Sequence, residues 1–173
     1  MATLRRILDF LYGLSGVVAA LCLISILLLI VLQMAARWTG EVFPGAPNYA
    51  GYAMAAASFF AFCNALGRGA HIRVSIILNA VPARIKYAME LWCFAVGAAI
   101  SAYFTYHAYE FVYFSWRFDE ISQGQDAVHL WIPQSVMIIG GALLTLCMLD
   151  NLLHLILRGE HRIVRDAVES HAK

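Results

Sequence analysis

Two histidines, His107 and His129, are the side chains of this 173-residue chain whose type and placing could most directly do chemistry. His107 falls near the end of one long apolar stretch and His129 near the start of the next. Imidazoles on neighbouring membrane helices can ligate haem iron from both faces, which would make the chain the membrane anchor of a redox enzyme binding b-type haem. The alternative is a pair of interfacial histidines hydrogen-bonded among the tyrosines of "YFTYHAYEFVYFSW". Haem-ligating pairs sit deeper, with small residues around the porphyrin, and this favours the second reading.

A second cluster lies in "LGRGAHIRVSIILNAVP", where Arg68, His71 and Arg73 arrive within six residues and Arg84 and Lys86 follow. Such a group holds either lipid phosphate at headgroup level or the surface of a partner protein, and the residues leave both open. Signatures of catalysis are missing: the chain has no P-loop, no GxSxG and no HExxH. The four cysteines, Cys22, Cys63, Cys93 and Cys147, fall one in each long apolar run without a CxxC pair, the pattern of buried free thiols rather than of a disulfide framework or metal site. A net charge of +1 without any Lys/Arg run gives no footprint for nucleic acid.

The elements that must carry these residues are membrane helices. Hydrophobic residues make up 62% of the chain and charged ones 13%, with a mean hydropathy of +0.72, far from soluble composition. Four stretches, 10–36, 49–66, 91–109 and 127–149, are free of Asp, Glu, Lys and Arg. Each approaches or exceeds the roughly 20 residues that cross a hydrocarbon core of about 30 Å. The expectation is an all-α membrane domain with transmembrane helices at 10–36, 49–66, 88–109 and 127–149 and a tail at 158–173. Arg5 and Arg6 ahead of an apolar run imitate a secretory signal, but 10–36 is too long for one and reads as an uncleaved first span. At about 1.5 Å per residue that run reaches about 40 Å, so it tilts or projects from the bilayer.

Charge asymmetry orients the spans. Ten of the twelve Lys and Arg residues flank the side of the termini, and only Arg37 and Arg117 face the other way. The positive-inside rule therefore places both termini and the central connection in the cytoplasm and the connections 37–48 and 110–126 outside. The outer edge carries an aromatic belt over 103–116, with Trp38 and Trp131 at equivalent depth. Arg37, Trp38, Glu41, Asp119 and Glu120 are the outer candidates for touching a partner.

No ionisable residue sits mid-span, where a charge costs roughly 3 kcal/mol or more and marks an ion or substrate path. A self-sufficient small carrier lacks its carboxylate for the same reason. Gln33, Ser25, Ser58, Asn64, Ser101, Thr105, Gln134 and Thr145 could hydrogen-bond between helices, and Gly13, Gly16, Gly140 and Gly141 could let helices approach closely.

Between the second and third spans, Val74, Ile77, Leu78, Val81, Ile85, Ala88, Met89 and Trp92 share one side of a helical wheel about 120° wide. The pattern predicts an in-plane amphipathic helix over about 68–82, bent at Pro82 and leading into the third span. Ile72 and Ile76 fall on its polar side and weaken the pattern. Gly67 and Gly69 give the chain freedom to turn from spanning to in-plane direction.

The stretch "ALGRGAHIRVSIILNAVPARIK" resembles the segment after span two in the small membrane subunit of tripartite ATP-independent periplasmic (TRAP) transporters, the DctQ family. "ARWTGEVFPGAPNYAGY", with Arg37 in the family's arginine position, and "LWIPQSVMIIGGALL", with Pro133 and Gly140 matching, extend the resemblance over nearly the whole length. Gly67 and Pro82 belong to the same pattern. Two departures stand out: relatives carry an acidic pair where this chain has Pro47 and Asn48, and an Asp where it has Ser75.

The resemblance implies a bacterial inner-membrane scaffold without catalytic, metal or substrate-binding residues of its own. A separate large membrane subunit would hold substrate and sodium, and a periplasmic substrate-binding protein would deliver an organic acid. Arg68, His71, Arg73, Arg84 and Lys86 would then anchor the chain to membrane lipids or contact the large subunit.

Overall fold

The computed structural model describes residues 2–41, 43–67 and 82–158. Four α-helices account for most of them: α1 (Ala2–Thr39), α2 (Ala46–Gly67), α3 (Ala83–Arg117) and α4 (Trp131–Arg158). Each contains a window apolar enough to cross a membrane. The described residues form no strand, only an isolated antiparallel bridge between Ile121 and His129. The segment 68–81, with Arg68, His71, Arg73 and most of the expected in-plane helix, lies outside the described residues, as does 159–173.

The helices run past the apolar windows. A run of 38 residues makes α1 about 57 Å long, and 35 make α3 about 52 Å, well beyond a hydrocarbon core of about 30 Å. The expected outer connection from residue 110 is thus still helix as far as Arg117. At the other end α4 starts at Trp131, four residues after the apolar run begins, and 127–130 belong to the connection.

Packing follows the order α1, α2, α4, α3, each helix lying against the next. This is an open row rather than a closed bundle, and glycines set its spacing. A Cβ on Gly140 of α4 would stand 2.6 Å from Phe59 Cβ of α2, and one on the adjacent Gly141 would stand 2.7 Å from Thr105 Oγ1 of α3. Neighbouring positions on a helix point about 100° apart, so this pair lets α4 approach α2 and α3 on two sides. Gly16 of α1 likewise abuts Asn64 of α2, whereas Gly13 faces open space and sets no helix distance.

The core, built from Tyr12, Cys63, Leu66, Phe94, Cys147 and Leu155, draws on all four helices and lies toward the end that bears the chain termini. Of the four free cysteines only Cys63 and Cys147 are buried, while Cys93 is exposed and Cys22 half-buried. Most polar residues in the spans bond back to their own helix, as Ser25 does to the Cys22 carbonyl and Ser58 to that of Met54. Links that cross between helices include Asn64 Nδ2, which donates to Tyr12 O at 3.1 Å, the Thr105 and Thr145 hydroxyls, which meet at 3.5 Å, and the Cys147 thiol, which lies 3.9 Å from Cys63 O.

The row leaves its surface apolar. Only 11% of the most apolar window of α1 is buried, and Leu21, Ile24, Leu28, Val31 and Met34 project from it. Soluble monomers rarely tolerate such a continuous patch, so lipid or another membrane protein must cover it.

Candidate functional site

A network of polar contacts lies at the end of the row opposite the termini, here called the distal end. Both long helices close there in the same way. Beyond α1, Gly40 takes φ +80° while Glu41 N donates to Ala36 O at 2.9 Å and Gly40 N to Arg37 O at 3.4 Å. Beyond α3, Asp119 takes φ +51° while Glu120 N donates to Ser115 O at 3.0 Å and Asp119 N to Trp116 O at 3.3 Å. These crossed pairs satisfy carbonyls that a helix end leaves open, and the left-handed residue reverses the chain. Ser115 Oγ also donates to Glu120 Oε2 at 2.8 Å, tightening the second turn.

The connection after α3 folds into a hairpin-like cap. Ser122 N donates to Val128 O at 2.8 Å and Leu130 N to Glu120 O at 2.9 Å, about the Ile121–His129 bridge. His129 Nδ1 lies 3.0 Å from Asp119 Oδ1, an exposed pair spanning the base of the cap.

Asp126 ties this cap to α2. Its Oδ1 accepts from Asn48 Nδ2 at 2.7 Å and from Ser122 Oγ at 3.0 Å, and its Oδ2 accepts from the Tyr52 hydroxyl at 2.7 Å. Asn48 and Tyr52 stand one turn apart on α2, so both face the same carboxylate. Gly45, at φ +79°, leaves room for the close approach: a Cβ there would lie 3.1 Å from that of Asp126. Partial desolvation pushes the Asp126 carboxyl up. Hydrogen bonds from Tyr52, Asn48, its own backbone and Ser122 outweigh that and hold it below the usual aspartate range.

The distal candidates from sequence gather around this clasp without joining it. Arg37 and Trp38 occupy the last turn of α1, with Trp38 84% exposed, and Glu41 is exposed in the following connection. Asp119 and Glu120 hold the turns just described. His107 and His129 each engage a carboxylate of their own through Nδ1, His107 with Glu110 at 2.9 Å and His129 with Asp119. No group of three His, Cys, Asp or Glu side chains able to hold a metal occurs among the described residues. Sequence reasoning missed Asn48, Tyr52, Ser122 and Asp126 as a unit. The available signal was "SQGQD", whose Ser, Gly and Asp are turn formers.

At the opposite end Pro82 caps α3 with φ −57° and ψ 148°, accepting from Ile85 N and Lys86 N at 3.0 Å each. Arg84 and Lys86 thus sit in the first turn of a helix, where the macrodipole disfavours cations, so helix stability does not account for them. Gly67 is the last residue of α2. Pro133 lies in the first turn of α4, where its missing N–H costs no helical bond.

The match to known families agrees with this architecture. No curated protein matches the chain. The family model for tripartite ATP-independent periplasmic transporters, DctQ component, matches residues 26–158, from within α1 to the end of α4. The matched residues make up most of the chain, and they include its four apolar helices from within α1 to the end of α4; the chain is a member of the DctQ family of TRAP transporters, a transporter component rather than an enzyme.

Proposed function

We propose that this chain is the scaffold subunit of a sodium-driven TRAP transporter for an organic acid in the bacterial inner membrane, with both termini cytoplasmic and the distal end periplasmic. The family match over residues 26–158 carries the reading. The family membership implies that the substrate and sodium sites lie in the large membrane subunit, and the charge-free stretches of this chain are in keeping with that. The broad lateral surface of the helix row widens the static frame against which the transport domain of that subunit slides. Arg68, His71, Arg73, Arg84 and Lys86 fix its depth or grip the large subunit at the cytoplasmic side. Arg37, Trp38, Glu41, Asp119 and Glu120 form part of the dock for the periplasmic binding protein.

Reconstitution tests this. Proteoliposomes holding this chain and its large subunit should take up substrate only with binding protein outside and a sodium gradient inward. Vesicles holding this chain alone should take up none, and uptake by the chain alone would overturn the scaffold reading. Alanine at Arg68, His71 and Arg73 should lower recovery of the two-subunit complex if these residues grip protein. If they grip lipid, recovery stays while the dependence on anionic lipid weakens.

A further inference from the structure

The Asp126 carboxylate accepts three hydrogen bonds within the chain, two from the first turns of α2 and one from the cap after α3. Its partners are Asn48 and Tyr52 from the opening of α2 and Ser122 from the cap after α3. It therefore has little left to offer a partner directly. Groups that do project at this end include Arg37, Trp38, Glu41, Phe118 and Asp119. They stand on either side of the clasp, Arg37, Trp38 and Glu41 on the α1 side and Phe118 and Asp119 on the α3 side.

The backbone beside the clasp is held away from its own preference. Ala127, directly after Asp126, takes φ +45°, a left-handed conformation that side-chain-bearing residues avoid. Such a conformation persists only where its surroundings determine it. The three side-chain bonds to Asp126 and the Ile121–His129 bridge supply that determination here. Connecting segments are ordinarily mobile, and a mobile segment must be ordered when a partner binds, at a cost in affinity.

We propose that Asp126 is a positioning residue for docking: it locks the cap after α3 onto the first turns of α2, which pack beside the end of α1, so that both sides form one preformed surface for the periplasmic binding protein. This rests on the docking role given above. Loosening the clasp leaves the projecting groups in place but lets the two halves of the surface move independently. The binding protein then loses affinity, while transport at saturating binding protein is unchanged.

The test uses the intact complex of this chain with its large subunit in nanodiscs and the purified binding protein. Asp126→Asn removes the charge and replaces one of the two acceptor oxygens with an N–H donor, so the Asn48 amide and the Tyr52 hydroxyl can no longer both donate to it, and Asn48→Asp sets a second carboxylate against the first. Each should raise the Kd for the binding protein roughly tenfold, the equivalent of about 1.4 kcal/mol. In uptake assays each should raise the KM for binding protein with little change in maximal rate. Hydrogen exchange across 118–130 should lose protection in both, and the melting temperature of the complex should hold, which separates positioning from general stability. The reciprocal double variant N48D/D126N exchanges donor and acceptor and should recover most of the affinity.

Unchanged protection in Asp126→Asn would overturn the proposal, because the carboxylate would not be locking the cap. Lost protection with unchanged affinity would also overturn it while leaving the docking role standing. If Trp38→Ala and Asp119→Lys leave affinity unaltered in the wild-type background, the docking role itself fails, and the proposal with it.

Discussion

Gly140 on α4 lies against Phe59 on α2 at backbone contact: a Cβ added to the glycine would meet Phe59 Cβ at 2.6 Å and the Phe59 carbonyl carbon and oxygen at 3.0 Å. Backbone cannot rotate aside, so Gly140→Ala must push the two central helices of the row apart. Overpacking of this kind costs about 1–3 kcal/mol. Gly141→Ala meets chiefly the Thr105 hydroxyl at 2.7 Å, the movable end of a side chain, and should cost less. Thermal unfolding of the two variants in one detergent should rank Gly140→Ala clearly below Gly141→Ala. Equal loss would mean that α2 and α4 are not held at the distance Phe59 defines.

Asn64 couples α2 to α1 by donating to the Tyr12 carbonyl, and Gly16 leaves the space in which its amide sits. Asn64→Ala removes an interhelical hydrogen bond worth on average about 0.6 kcal/mol in a membrane protein. Gly16→Ala brings its methyl against the Asn64 amide, and its cost should shrink when Asn64 is already alanine. The double-mutant cycle should therefore be non-additive in the direction of rescue. Gly13→Ala, with open space around the added methyl, serves as the neutral control.

The clasp should resist acid. Asp126 is held below the usual aspartate range in the folded cap, so protons bind it more readily when the cap is open. Its stabilisation is thus complete above the ordinary aspartate value of about 3.9 and is lost as pH falls through the lower, folded value. Hydrogen exchange of 118–130, corrected for the intrinsic effect of pH, should stay protected from neutrality to about pH 5 and open only below about pH 4. In Asp126→Asn that acid step should vanish. A step near neutrality that survives the substitution would assign the control of the cap to another group.

Which of these features the sequence displays follows from how local they are. The four spans are legible because charge-free runs of membrane length need no knowledge of neighbours. The distal end of α3, residues 110–117, is not, since "EFVYFSWR" mixes charge with aromatic residues and reads as a connection. Once past the membrane, the helix continues because its backbone hydrogen bonds are already being made. The start of α4 is misplaced for the opposite reason: "AVHL" is apolar, but His129 is drawn into the bridge with Ile121. Gly140 and Gly141 announce close packing by size alone, yet nothing local distinguishes them from Gly13, which faces open space. The Asp126 clasp is the least legible feature. Asn48 and Tyr52 lie 78 and 74 residues from it, and only the packing of α2 beside α4 brings them together.

Ala127 offers a way to strengthen the cap rather than break it. At φ +45° the alanine sits where its Cβ crowds the following carbonyl, a penalty of about 1–2 kcal/mol that glycine escapes. Ala127 is exposed, so no packed methyl is lost on substitution. Glycine also makes the unfolded chain more flexible, which returns part of the gain. Ala127→Gly should therefore stabilise the cap by somewhat under 1 kcal/mol, read as slower exchange across 118–130. The same substitution made in Asp126→Asn should slow exchange less, because an unclasped cap no longer holds residue 127 left-handed. Faster exchange in the single variant would show that the cap does not keep this residue strained, and that Asp126 is not what sets its backbone.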